Sequence, residues 1–247
     1  MNLNDAHIHV GQFNDIYTSP REVVDFMQQA GVERYIVMST TIWEEDCEKV
    51  LHEMRELVTI APNNALPVLW LSPQMLLGGK LEMMMQSGTK WYALKVHGNH
   101  PWSQNGVNEC ANIAEELQLP LILHTGDFPH CEPNVYKEII QSHPQVTFVL
   151  AHCRPLDQAI VVMQECPNCY GDTAYTPSPE VRKLIEAGLE NQILFGTDYP
   201  LQKIHNPNGD LLTDYKAKVQ DDWKVMSEKQ WEKVSHKNFQ KLYKIEP

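Results

Sequence analysis

His7 and His9 stand one residue apart in the hexapeptide "DAHIHV" at positions 5–10. Side chains alternate between the two faces of a strand, so both imidazoles would point the same way, which is the geometry of half a metal site. Three further polar groups close apolar runs: His124 ends "PLILH", His152 ends "VTFVLAH", and Asp198 follows "ILFGT". Gathering four imidazoles and a carboxylate in an interior is costly unless something satisfies them together, and a cation satisfies the ring nitrogens and the carboxylate at once. A lone H-x-H pair would more simply be two unconnected histidines. Five such residues, each at the C-terminal end of an apolar segment, favour a metal site.

Residues so scattered in sequence need a scaffold that collects strand ends. Short apolar runs at residues 3–10, 34–39, 66–71, 92–97, 121–125, 147–152, 169–173 and 193–197 read as strands, and the stretches between them have helical spacing. "SPREVVDFMQQAG" carries the punctuation of a helix, with Ser19 as N-cap, Pro20 at the first helical position and Gly31 past the end, and residues 105–119 read as another. Eight alternations within 247 residues predict a single-domain α/β fold, a (β/α)8 TIM barrel of regular or distorted outline over residues 1–247, with helices from about 211 packed on it. An open doubly wound sheet alternates in the same way, but the glycine-rich first turn of a dinucleotide-binding sheet is absent. In a barrel, active sites lie at the C-terminal ends of the strands. Ile8 would then face the helices while His7 and His9 face the interior.

The formal net charge of -12 provides no basic field for a polyanion, so neither nucleic acid nor an anionic membrane is an expected partner; a small-molecule substrate is, and self-association is compatible with the sequence. The longest apolar run, residues 66–77, is short and interrupted by Pro67 and Pro73, and no signal-peptide pattern opens the chain. Six cysteines in a chain of this length do not make a disulfide scaffold. A cytoplasmic protein with reduced thiols is expected.

Taken with the C-terminal "VSHKNFQKLY", in which Asn238 matches a usual asparagine of the closing helix, the set His7, His9, His124, His152 and Asp198 resembles the amidohydrolase superfamily, in its amidohydrolase-related group of metal-dependent barrel enzymes. The resemblance covers nearly the whole chain. It implies that His7, His9, His124 and Asp198 hold one divalent metal, Zn²⁺ by default, with Mn²⁺, Fe²⁺, Co²⁺ or Ni²⁺ suited to the same donors. His152 matches a residue that binds a second metal in binuclear members and positions water or substrate in mononuclear ones. The implied activity is hydrolysis of an ester, lactone or amide by metal-activated water, with Asp198 taking the water proton and passing it to the leaving group. Non-oxidative decarboxylation of an unsaturated or aromatic acid is the rival within the group. A catalytically silent metal-binding or scaffold protein is the rival from another class, against which stands the open, thiolate-free donor set.

Three more residues are candidates for the substrate. In "WYALKVHG", Lys95 and His97 share a strand face. Lys95 is expected as an ammonium that holds a substrate carboxylate or pairs with Asp198; in binuclear relatives the matching lysine is carbamylated and bridges two metals, which would admit a second ion. Arg154, two residues beyond His152, leans toward the same mouth if strand geometry persists, and its fork suits a carboxylate. Cys153 would then point into packing. His100, His130 and Cys131 are weaker candidates, Asp172 and Thr173 are as readily scaffold as substrate contacts, and "CPNC" at residues 166–169 reads as a turn because no second pair completes a zinc ribbon.

Overall fold

The computed structural model describes residues 2–44, 46–77, 79–100 and 102–245. Eight parallel strands form its centre: β1 (Asn4–Phe13), β3 (Arg34–Ser39), β4 (Ala65–Trp70), β5 (Ala93–Val96), β6 (Leu121–His124), β7 (Phe148–Ala151), β8 (Cys169–Asp172) and β9 (Ile193–Leu194). They neighbour one another in chain order. A short antiparallel arm, β2 (Ile16–Thr18), lies on the far end of β1. The ring closes where the chain beyond β9 meets β1: Ala6 N–H donates to Phe195 C=O at 2.8 Å, Asp198 N–H to His7 C=O at 2.7 Å, and His9 N–H to Tyr199 C=O at 2.6 Å. The expected barrel is thus present, with a last strand of only two regular residues and a closing seam made by irregular backbone.

The strands from β3 onward are buried along almost their whole length, as parallel strands covered by helices must be. Ile8, Ile36, Leu94, Leu123 and Leu150 are fully removed from water, each worth about 1.5–3 kcal/mol of apolar burial. The crossover helices obey their sequence signals. Helix α1 (Pro20–Ala30) begins with a reciprocal capping box between Ser19 and Glu22 and stops at Gly31, whose φ of 75° suits a residue without a Cβ. Helices α2 (Cys47–Ile60), α3 (Pro73–Leu76), α4 (Lys80–Gln86), α5 (Gln104–Leu117), α6 (Pro133–Ser142), α7 (Leu156–Glu165) and α8 (Ser178–Glu186) complete the crossovers, and α9 (Gln202–His205) follows the last strand.

Past α9 the chain adds α10 (Leu211–Lys224), α11 (Glu228–Glu232) and α12 (Asn238–Leu242). This tail docks on the two strands that flank the closing seam, β9 and β1. Asn238 donates its amide to the carbonyls of Glu190 and Ile193 at 2.9 and 2.7 Å, and Val234 C=O accepts from Phe195 N–H at 3.0 Å. Tyr215 on α10 donates its hydroxyl to Asp5 at 2.9 Å. All six cysteines are buried and free. Among the described residues no helix is long and apolar enough to cross a membrane.

Candidate metal centre

The pairing register of β1 slips between Asp5 and Ile8, so that three steps along β1 span two along β3. Asp5 anchors this irregular stretch. Its buried carboxylate accepts from His7 N–H at 3.0 Å, from the Thr197 hydroxyl at 2.6 Å and from Tyr215, tying the start of β1 to the loop that carries Asp198. Beyond the slip, His7 and His9 both face the C-terminal mouth and are nearly buried. Asp198, with a left-handed φ of 65°, turns its carboxylate onto them: Oδ1 lies 3.0 Å from His7 Nε2 and 2.9 Å from His9 Nε2. One carboxylate oxygen thus bridges the two imidazole nitrogens. Donor atoms of His7, His152 and Asp198 all lie within 4.8 Å of one another; among the described residues no such group includes His9 or His124.

Behind this group stands Asp172 at the end of β8. Its Oδ2 lies 2.8 Å from His7 Nδ1, while Oδ1 accepts the backbone N–H of His152 at 2.9 Å and of Ala174 at 3.1 Å. His152 Nδ1 in turn sits 3.1 Å from Ala174 C=O. A carboxylate and a carbonyl only accept, so each Nδ1 carries a proton, and in the neutral rings Nε2 keeps its lone pair. This is how an outer carboxylate prepares histidines for a metal. The sequence left Asp172 undecided between substrate contact and scaffold; here it orients two site histidines.

The electrostatics demand positive charge at this point. Burial disfavours the His7 imidazolium, yet the carboxylates of Asp172 and Asp198 outweigh it and lift His7 to about 9. Burial also opposes the Asp198 carboxylate, but His7 and His9 hold it well below the usual carboxylate range. Burial lowers His9 and drives His152 far down, so both rings are neutral and able to ligate at pH 7. Lys95 is fully buried, with no hydrogen-bond partner for Nζ among the described residues; burial pushes it down to about 8 against the pull of Asp172 and Asp198. No ion pair joins Lys95 to Asp198 among the described residues, which departs from one of the two expected roles. The low dielectric weakens the ammonium itself.

A cavity of about 500 Å³ opens above the group, lined by His7, His9, His124, His152 and Asp198 together with His97 and Arg154. His124 differs from the others. Its Nε2 is engaged by Asp127 Oδ2 at 3.1 Å rather than by Asp198. Its ring lies 3.9 Å from that of His97 between centroids, tilted by 34°, and His97 lies 4.9 Å from Trp70, tilted by 31°, so one wall is a row of tilted rings. Arg154 reaches the mouth by another route than continued strand geometry: β7 stops at Ala151, and His152 and Cys153 both have positive φ, 72° and 50°. Cys153 is buried, as its packing role requires. His130 spans between loops, its Nε2 lying 3.0 Å from Gly98 C=O, and does not line the cavity. Trp70, Asp127 and Tyr175 line it without having been singled out; Trp70 shared the strand-end position of the five, and Asp127 lies three residues past His124.

The amidohydrolase family model (Amidohydro_2) matches residues 5–245. This chain belongs to the amidohydrolase family. No curated protein matches it in sequence. Among solved structures, the amidohydrolase is similar to a probable 2-pyrone-4,6-dicarboxylic acid hydrolase from Acinetobacter baumannii with citric acid bound, at 11% identity and TM-score 0.71, covering 99% of this chain and 100% of that one. It is similar to amidohydrolase 2 from Bifidobacterium longum subsp. infantis at 14% identity and TM-score 0.71, covering both chains completely. A third likeness is a 5-carboxyvanillate decarboxylase from Novosphingobium aromaticivorans with bound manganese and 3-methoxy-4-hydroxy-5-nitrobenzoic acid, at 11% identity and TM-score 0.65, covering 90% and 80%. Identities this low establish the shared barrel and leave the reaction to the site.

Proposed function

We propose that this amidohydrolase is a metal-dependent hydrolase of an ester, lactone or amide bond in a small, carboxylate-bearing substrate. The observation that carries the reading is the Asp198 carboxylate on the Nε2 atoms of His7 and His9, with Asp172 fixing the opposite edge of His7. The chemistry of the donors suits a divalent cation: imidazole nitrogens and a carboxylate at one end of the barrel, backed by an outer carboxylate and open to a cavity on one side. His7, His9 and Asp198 would hold it with His124 as fourth donor, and Zn²⁺ is the default for such ligands, one ion per chain. When bound, such a cation supplies Lewis acidity toward a carbonyl and acidifies water beside it.

The chain's own residues supply the rest. Among the described residues only Oδ1 of Asp198 contacts the His7 and His9 nitrogens, which leaves Oδ2 suited to take a proton from water and return it to the leaving group. His152, neutral and held by Ala174 C=O and Asp172, presents Nε2 to orient the water or the scissile carbonyl. Arg154 at the rim pairs with the substrate carboxylate. Trp70 and His97 form an aromatic wall of two tilted rings, against which a planar group of the substrate would lie. That wall also supports a second reading, decarboxylation of an unsaturated or aromatic acid. Product analysis on a panel of lactones, amides and unsaturated carboxylic acids separates the two: hydrolysis yields a new acid with no gas, decarboxylation releases carbon dioxide. Inactivity of the metal-loaded protein across the whole panel would argue for a silent scaffold.

A further inference from the structure

The loop after β6 places a carboxylate for which the proposed chemistry has no use. Asp127 lines the cavity with half its side chain exposed, and its φ of 65° is uncommon for a residue other than glycine. Such backbone positions gather at functional sites. Asp127 Oδ2 sits 3.1 Å from His124 Nε2 and 3.3 Å from Nη2 of Arg154, bridging the metal end of the cavity to its rim. Arg154 is fixed from behind: its N–H donates to the Thr125 hydroxyl at 2.9 Å, and that hydroxyl donates to Ala151 C=O at 2.5 Å. Gly126 lets the arginine lie flat on the loop, for a Cβ there would come within 2.9 Å of Arg154 Cβ and 3.1 Å of its Nε.

The contact between Arg154 and Asp127 is a poor one. A guanidinium prefers to grip a carboxylate through two parallel N–H groups. Here a single Nη2 contact is made, and the buried Nε of Arg154 has no hydrogen-bond partner among the described residues. A half-exposed pair of this kind is weak and exchanges readily. Asp127 therefore holds the position of an anionic oxygen over the site without filling it well.

We propose that Asp127 is a specificity-determining residue that stands in for a ligand carboxylate on Arg154, and that a carboxylate-bearing ligand binds by displacing it and taking the two-point contact Asp127 does not make. A neutral ligand gains nothing from the exchange, so the pair selects for acids. Displacement also frees His124 Nε2 from its one carboxylate partner among the described residues, coupling acid recognition at the rim to the histidine at the metal end. The proposal rests on the reading of Arg154 as the substrate's anchor.

Benzoate and the neutral benzamide, of nearly equal shape, test it by titration calorimetry on the metal-loaded protein as purified. The set is the parent protein, Asp127→Asn, Arg154→Gln and the double variant, with thermal unfolding checking that each is folded and Asp127→Ser as a second substitution if the amide misfolds. Asp127→Asn is expected to tighten benzoate about fivefold or more, the worth of one exposed ion pair, and to leave benzamide unchanged. Arg154→Gln is expected to weaken benzoate and to abolish the effect of the Asp127 change in the double variant. If Arg154→Gln weakens benzoate but Asp127→Asn fails to tighten it, Asp127 positions the arginine and the stand-in proposal falls while the anchor reading survives. If benzoate binds to none of the proteins, or binds without regard to Arg154, the anchor reading falls and takes the proposal with it.

Discussion

Replacing Asp172 by asparagine tests how the site is prepared for its ion. The carboxylate makes three contacts, to His7 Nδ1 at 2.8 Å, His152 N–H at 2.9 Å and Ala174 N–H at 3.1 Å. An asparagine has one accepting oxygen and one donating nitrogen. If the oxygen stays on the two backbone N–H groups, the amide nitrogen faces His7 and can only donate, so His7 Nδ1 must accept and its proton moves to Nε2, the atom 3.0 Å from Asp198. The opposite orientation sets the amide N–H₂ against two N–H donors and strands both in the interior, at about 1–3 kcal/mol each. The tautomer change is the cheaper response, and it blocks the nitrogen that would bind metal. Loss of such an outer partner costs roughly 10–100-fold in metal affinity, equivalent to about 1.4–2.7 kcal/mol. Competition against a chromophoric chelator measures it, with circular dichroism confirming the fold. Unchanged metal affinity in a folded Asp172→Asn protein would refute the idea that Asp172 sets the His7 tautomer.

Asp198→Asn should keep the fold and lose turnover by at least about a thousandfold, because general acid–base catalysis and ligation are both removed; near-parent activity in steady-state assays would take Asp198 out of the mechanism. In the metal-free protein His7 is raised from 6.5 to about 9, so the stability it contributes is fully present below pH 6.5 and is lost as pH rises through 9. Lys95, lowered to about 8, titrates in the opposite sense, offsetting part of this between pH 7 and 8 and nearly all of it between 8 and 9, which leaves pH 7 to 8 as the window; a loss of slightly under about 1 kcal/mol across it is expected in urea unfolding. The same window should be flat when metal replaces the proton. Metal analysis with detection of carbon dioxide released on acidification should give one ion per chain and no carbamate on Lys95; two ions and one carbamate would make Lys95 and His152 ligands. Gly11→Ala should destabilise the protein by about 2 kcal/mol or more, since φ is 94° there and the new Cβ would lie 2.8 Å from the buried Glu53 carboxylate; an unchanged melting temperature would show that β1 and α2 can part.

The barrel was legible because its strands are buried on both faces and so appear as compact apolar runs, whose eight positions agree with the structure to within three residues at either end. The arm β2 was not, because three residues, "IYT", carry no periodicity. The last strand read as ending at Thr197 ends at Leu194, since residues from Phe195 spend their backbone groups on β1 and on Val234. Polar residues at strand ends drew attention to the site, and that signal weakens where a residue's role depends on a distant partner. Asp172 meets His7 across 165 positions, which no local pattern records. Arg154 was placed by assuming an extended backbone that the positive φ of His152 and Cys153 interrupts. Asp127 escaped notice because a loop aspartate after glycine reads as a turn.

The central claim is a single cation held by His7, His9 and Asp198. Anomalous diffraction at the metal's absorption edge, on crystals of protein that has never met a chelator, tests it most directly. One peak per chain is expected at about 2.0–2.2 Å from His7 Nε2, His9 Nε2 and an Asp198 oxygen, with His124 rather than His152 in the fourth position. A fully folded protein with no peak there, or with its peak elsewhere on the chain, would contradict it.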